Sequence, residues 1–404
     1  MIQLNTLVFL LSITEQGVIL LLPPIFKSAH LPVSTIGFLV ALIAVGRLAS
    51  RVPGGILYGS SVRRVTLPAS VLLVASTSIL FAFPLPLEVT VFLVFIHGVS
   101  YGLATTMLLA ICMEIIRGRK NLAAAMGWYT AFLSAGNTLG SLIAGYLADN
   151  WGFGPALASM ALAAVGTLVF LPIVSWPTLA DGQEPAQAIG DPPRLANPLQ
   201  VVRSALEELR ALPSPVYLAI LLAFYINFLS YLTNAFYPLW ALQLGLSLTL
   251  IGTLKSLYSA AGTVVRLFLG VILERVDYRL INNVSLVLLA GATSVLSLTA
   301  SFAALTGAFI TLGVSRGVVR ATSATYAAES APSGSRFKGL ASGVYSTGLD
   351  LGSILGPGLG GIAVQFVGLG SVFWVLPVCL LIPCLTLAIR AARAGVGIGE
   401  REPS

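Results

Sequence analysis

Twelve apolar runs, each long enough to cross about 30 Å of hydrocarbon, recur along this 404-residue chain. They fall near 2–22, 35–58, 66–83, 89–113, 122–148, 154–176, 216–239, 249–273, 281–301, 303–328, 339–363 and 371–390. In lipid every backbone N–H and C=O must be satisfied internally, and runs of this length do so as helices. Composition agrees. Hydrophobic residues make up 57% and charged residues 9%, where a soluble domain carries about a quarter. The expected fold is all-α and integral to a membrane, with twelve transmembrane helices in two pseudo-symmetric six-helix bundles.

The net charge of +7 is a topology signal here rather than a nucleic-acid signal. With the first run starting inside, the inner segments hold fifteen Lys and Arg, from Arg63 to Arg401, and the outer loops hold only Lys27. The positive-inside rule then places both termini in the cytoplasm of a cell-membrane protein. The first run has no basic leader and no small-residue cleavage site, and it ends at Pro23-Pro24, so it reads as a retained span. Cys112, Cys379 and Cys384 lie inside apolar runs, and with two histidines the chain offers no metal-ligand spacing. No cofactor is expected. No G-x-x-x-x-G-K-[ST] loop is present, so ATP is not expected as direct driver.

The runs form two copies of one unit. A shift of 215 brings Pro23 onto Pro238, Leu31 onto Leu246, Gly37 onto Gly252, Arg51 onto Arg266 and Glu114 onto Glu329. A shift of 216 then brings Gly136, Gly140, Gly145 and Gly152 onto Gly352, Gly356, Gly361 and Gly368. Residues 177–213, rich in Pro, Gly, Asp and Glu, read as a cytoplasmic linker between bundles at 1–176 and 214–392, followed by a tail at 393–404. Within it Leu199, Val202, Leu206 and Leu209 form one stripe, which predicts a short amphipathic helix on the membrane surface.

One motif points elsewhere. Gly98-Val-Ser100-Tyr-Gly102, next to His97, fits the G-x-S-x-G of a hydrolase nucleophile elbow. That motif needs a strand-turn-helix, and this copy sits inside a helical run. Its repeat, Gly313-Val-Ser315-Arg-Gly317, keeps both glycines and the serine but has Leu312 for His97. Glycines four apart give a flat face for a neighbouring membrane helix. An enzyme is therefore not expected. An intramembrane serine hydrolase using Ser100 and a non-transporting receptor or scaffold are the alternatives to transport.

Twelve spans, the 6+6 repeat and the central loop resemble the major facilitator superfamily over essentially the whole chain. Its loop after the second span, G-x-L-x-D-R-x-G-R-[RK], appears as Gly55-Ile-Leu57-Tyr-Gly59-Ser60-Ser-Val-Arg63-Arg64, with glycine in place of the acid. The second copy, Arg266 through Glu274-Arg275, keeps acid and base. The glycine-rich stretches Gly136–Asp149 and Gly352–Pro357 are similar to those of bacterial exporters in the family. The arginine of the fourth-span motif R-x-x-Q-G is replaced by Val94. The resemblance implies secondary transport by alternating access, with helices one and seven lining a central cavity.

Charge within a bilayer is costly, which makes each buried ionisable group a candidate. Counting about 1.5 Å per residue puts Glu15 and Arg47 near the midplane on consecutive helices, and Arg316 and Asp350 likewise in the second half. Two readings follow. The pairs lock adjacent helices, or the arginines hold an anionic group while Glu15 and Asp350 exchange protons. Asn227, Tyr231 and Asn234 share one face of the seventh span, and Ser12, Glu15 and Gln16 lie on a similar face of its repeat partner. His97 and Arg320 lie at similar depth, and Lys255 near an outer helix end is expected to snorkel. Arg51, Glu114, Arg266, Glu274, Arg275 and Glu329 lie at the cytoplasmic end, where the resemblance implies a gate. The expected function is movement of a small organic solute, anionic or amphipathic, by a monomer coupled to a proton or cation, with export favoured.

Overall fold

The computed structural model describes residues 2–58, 63–116, 122–171, 214–273, 278–329 and 335–393. Among them are twelve helices and no strand. They are α1 (Ile2–Ser28), α2 (Val33–Tyr58), α3 (Arg63–Leu80), α4 (Leu87–Ile116), α5 (Leu122–Trp151) and α6 (Phe153–Phe170) in the first half. The second half holds α7 (Ser214–Gln243), α8 (Leu248–Leu273), α9 (Tyr278–Leu298), α10 (Phe302–Glu329), α11 (Ser335–Val367) and α12 (Val372–Arg393). Ten are long and apolar enough to cross a membrane. The other two are α3, which opens with Arg63-Arg64, and α5, which carries Ser134, Asn137, Thr138 and Ser141 among its glycines. The expected linker at 177–213, its amphipathic stripe and the chain from 394 on lie outside the described residues.

Each set of six packs in the same way. α1 lies on α5 and α6, α2 on α4, and α3 on α4 and α6; α7, α8 and α9 repeat these contacts with α10, α11 and α12. Between the sets α2 meets α11, α5 meets α8, and α1 meets α7. Exchanging the halves maps this interface onto itself.

The repeat extends to the helix ends. α1 does not end at Pro23-Pro24, as the apolar run does, but continues through both prolines to Ser28. Packing around a membrane helix tolerates the lost hydrogen bond. The stop is His30, at φ 59, where the Leu31 N–H closes onto the Phe26 carbonyl at 3.1 Å. α7 likewise contains Pro238 and stops at Gly245, at φ 79, with the Leu246 N–H on the Ala241 carbonyl at 3.0 Å. Gly152 and Gly368, at φ 85 and 82, follow the ends of α5 and α11.

At the end away from the termini the halves touch backbone to backbone. A Cβ on Gly145 of α5 would fall on the Leu248 carbonyl of α8, and one on Gly37 of α2 would fall on the Pro357 carbonyl of α11. Small residues permit such approaches in lipid. Asp149 adds a polar fastener there: its carboxylate accepts the Leu248 N–H at 3.0 Å and the Thr249 N–H at 2.6 Å, capping the start of α8 from across the interface. Toward the termini the same helices part. A Cβ on Gly55 of α2 or Gly127 of α5 would meet nothing within 4 Å.

The glycines of the hydrolase-like motif serve packing. A Cβ on Gly98 would strike the Ile43 carbonyl of α2, and its repeat partner Gly313 stands against the Tyr258 carbonyl of α8 in the same way. Ser100 is buried in α4, and its hydroxyl donates to the Ile96 carbonyl at 2.7 Å, within its own helix. Ser100→Ala is expected to cost about 1 kcal/mol of stability or less. A fluorophosphonate probe is expected to leave the wild-type serine unlabelled.

Candidate functional site

A polar chamber lies where the halves meet. Its middle section, about 140 Å³, is lined by Glu15 and Gln16 of α1, Arg47 of α2, Tyr231 and Asn234 of α7, and Arg316 of α10. It continues between α5, α8 and α10 as a cavity of about 280 Å³, and between α2 and α11 as one of about 260 Å³. Arg316 borders all three sections.

The first-half pair forms as its depths predict. Arg47 makes a salt bridge to Glu15, and its Nη1 also donates to the Tyr231 hydroxyl of the other half at 3.1 Å. His97 belongs to the same network. It is fully buried, with Nε2 3.1 Å from the second Glu15 oxygen and Nδ1 2.8 Å from the Thr77 hydroxyl. An ionised carboxylate can only accept, so Nε2 carries the proton in that bond. The Arg47 guanidinium also stands 4.9 Å from the Tyr101 ring centre, a cation–π contact.

The second-half pair does not form. Asp350 bonds Arg51 of α2 at 2.8 Å, across the interface, instead of Arg316. Equal depth is the wrong criterion there, because α11 turns toward α2 and α7 while α10 packs on α8 and α9. Arg316 stacks 5.6 Å from the Tyr258 ring centre, and its Nε is buried without an acceptor. The halves thus keep an arginine-over-tyrosine contact on equivalent helix pairs but exchange which helix carries the cation.

Other expected site residues divide. Tyr231 and Asn234 face the chamber, and Arg320 borders its two wider sections. Asn227 borders one of them, yet its amide donates to the Leu349 carbonyl at 2.9 Å and the Ser353 hydroxyl at 3.1 Å of α11, so it ties helices together. Lys255 does not snorkel. It is 2% exposed, and its Nζ points without a partner into a small space beside Ser230, Thr233 and Asn234. Near the start of α8, it faces the helix bundle rather than the lipid.

Among the expected gate residues, Arg51 reaches Asp350 as described. Arg266, its repeat partner, donates to the Ser134 hydroxyl of α5 at 3.1 Å and the Gly262 carbonyl at 2.8 Å. Ser134 and Asp350 are themselves repeat partners, so one seam carries an ion pair where in the other the cation meets a neutral hydroxyl. Glu114 accepts a hydrogen bond from the Tyr58 hydroxyl. Glu274, Arg275 and the Glu329 side chain lie outside what is described. Sequence reasoning missed Thr77, Tyr101, Asn137 and Tyr258, which look like ordinary span residues until the bundle brings them to the network and chamber.

Two like six-helix bundles around a polar chamber define a secondary transporter. The Major Facilitator Superfamily model matches residues 4–337, and the chain belongs to that family. No curated protein sequence matches it. Its fold is similar to that of the nucleoside transporter NupG, with a TM-score of 0.77 at 12% identity, covering 96% of this chain and 98% of that one. It is also similar to a bacterial homolog of the human lysosomal transporter Spinster in an inward-facing, unoccupied conformation (TM-score 0.69, 16% identity, 96% of each chain). A POT family transporter in complex with 5-aminolevulinic acid gives 0.70 at 12% identity, covering 98% of this chain and 96% of that one. The chain is a multi-pass membrane transporter and not an enzyme.

Proposed function

We propose that this chain carries a small organic anion across the cytoplasmic membrane by alternating access, with a proton as the coupled ion. The observation that carries the reading is the chamber itself: Arg47 of one half and Arg316 of the other border the same hollow. Both termini are taken as cytoplasmic from the basic inner loops. The splayed end then opens inward and the glycine seal closes the outside.

Glu15 supplies the coupling. Ionised, it holds Arg47 in the salt bridge. Protonated, it releases the guanidinium, which becomes available to the substrate, while His97 stands within reach to pass the proton. Proton and anion therefore bind together and move the same way. The same cycle, run by an outward anion gradient, exports the substrate, the direction suggested by the glycine-rich helices. Arg51–Asp350 and Arg266–Ser134 act as struts that break and re-form between states. A monomer contains the whole site.

Vesicles reconstituted with the purified chain test this reading. Acidifying the exterior is expected to speed uptake of lactate and succinate over that of neutral uridine. Rates that ignore both the charge of the solute and the proton gradient would falsify it.

A further inference from the structure

The charges around the chamber do not balance. Glu15 answers Arg47 and Asp350 answers Arg51. Apart from Lys255 in its small neighbouring space, Arg266, Arg316 and Arg320 remain, all bordering the cavity of about 280 Å³ between α5, α8 and α10, with no acidic residue on its wall. Arg266 contacts only hydroxyls and a carbonyl. Arg316 has a tyrosine ring and a buried, unpartnered Nε. Among the described residues neither Arg316 nor Arg320 has a salt-bridge partner.

Such a deficit is unfavourable on its own terms. Arg316 and Arg320 lie four residues apart on one helix, where like charges repel. Withdrawing cations from water is costly unless an opposite charge meets them. The cavity is many times the volume of about 30 Å³ that one water occupies in the liquid. Its wall presents planar guanidinium forks suited to bidentate bonds with carboxylate or phosphate.

Building on the anion-carrier reading above, we infer that this cavity is a subsite for a doubly charged anion, held by Arg316 and Arg320 with Arg266 at its mouth. One negative charge leaves one of the two α10 arginines uncompensated. Two charges on one small molecule, as a dicarboxylate or a phosphate monoester, satisfy both. Arg316 and Arg320 hold these charges while Glu15 is ionised and neutralises Arg47, and Arg47 joins the site once Glu15 takes a proton.

The experiment compares ligands that differ by one charge. Binding of succinate, its monoamide succinamate, glycerol 3-phosphate, lactate and uridine is measured by titration calorimetry on the full chain at about pH 7.5, where a phosphate monoester carries close to two charges. Succinate is expected to bind at least about tenfold more tightly than succinamate. Arg320→Gln is expected to abolish that ratio and Arg320→Lys to keep most of it, in variants whose gel-filtration profiles show folded protein. Should Arg320→Gln fail to fold, Arg266→Gln is expected to reduce the ratio instead. A preference for glycerol 3-phosphate over succinate assigns a phosphate monoester, and the reverse assigns a dicarboxylate; either supports the inference. Any result in which two charges bind no better than one overturns it. If lactate and succinamate then still bind, the anion-carrier reading survives; if uridine alone binds, both fall.

Discussion

Glu15→Gln is expected to abolish proton-driven uptake while anion exchange across the vesicle membrane continues. Glutamine has the shape of protonated glutamate and keeps contacts for Arg47 and His97, but it cannot release or take a proton. The exchange half-cycle, in which anion returns with anion, needs no such step. Stability provides the second reading. Removing one partner of a buried ion pair typically costs about 3–5 kcal/mol, because the other charge is left uncompensated. An anionic ligand repairs that defect, so the melting temperature of Glu15→Gln is expected to rise more steeply with added anion than that of the wild type. A purely structural lock predicts otherwise: lower stability that anions do not restore, and unaltered proton dependence in whatever uptake survives. Uptake still driven by a proton gradient in Glu15→Gln would end the coupling role of this carboxylate.

Gly145→Val is expected to lower transport about tenfold or more without unfolding the chain. The new side chain would fall on the Leu248 carbonyl, with Gly252 directly behind it. Backbone cannot rotate away as a side chain can, and overpacking at such sites costs about 1–3 kcal/mol, or roughly ten- to hundredfold in a conformational equilibrium. The penalty falls only on the state in which α5 and α8 touch, so the halves are biased apart at that end. Spin labels on the α1–α2 and α7–α8 turns are expected to report a longer distance. Gly127→Val provides the control on the same helix, since a Cβ there meets nothing within 4 Å. Equal effects from the two substitutions would show that the contact is not a seal.

What the sequence makes legible is mainly backbone. Pro23 with Pro238, Gly37 with Gly252 and Gly145 with Gly361 are matched by the repeat; the structure keeps both prolines inside their helices and uses the glycines as matched seals. Proline restricts the main chain and glycine lets another main chain approach it, so their spacing survives translation into three dimensions. Side-chain partnerships are harder to read. Depth along a helix is one coordinate, and it pairs Glu15 with Arg47 correctly. The second coordinate, the direction a residue faces around its helix, depends on which helices become neighbours. That is why depth pairs Asp350 with Arg316 rather than with Arg51, and why a face shared with Tyr231 and Asn234 does not reveal that the Asn227 amide bonds α11. Tyr101 and Tyr258 escape notice because an aromatic in an apolar run looks the same whether it packs on leucine or on a guanidinium.

Among the described residues, two carboxylate contacts between halves sit on a diagonal: Asp149 binds one seam near its sealed end, and Asp350 binds the opposite seam nearer the termini. Prising open either mouth therefore strains one flank more than its mirror image, and the halves are expected to twist as they tilt. Arg51 is 48% exposed, so dissolved electrolyte can weaken its grip. Ionic strength then becomes a handle on the motion, loosening one corner of the molecule before the other.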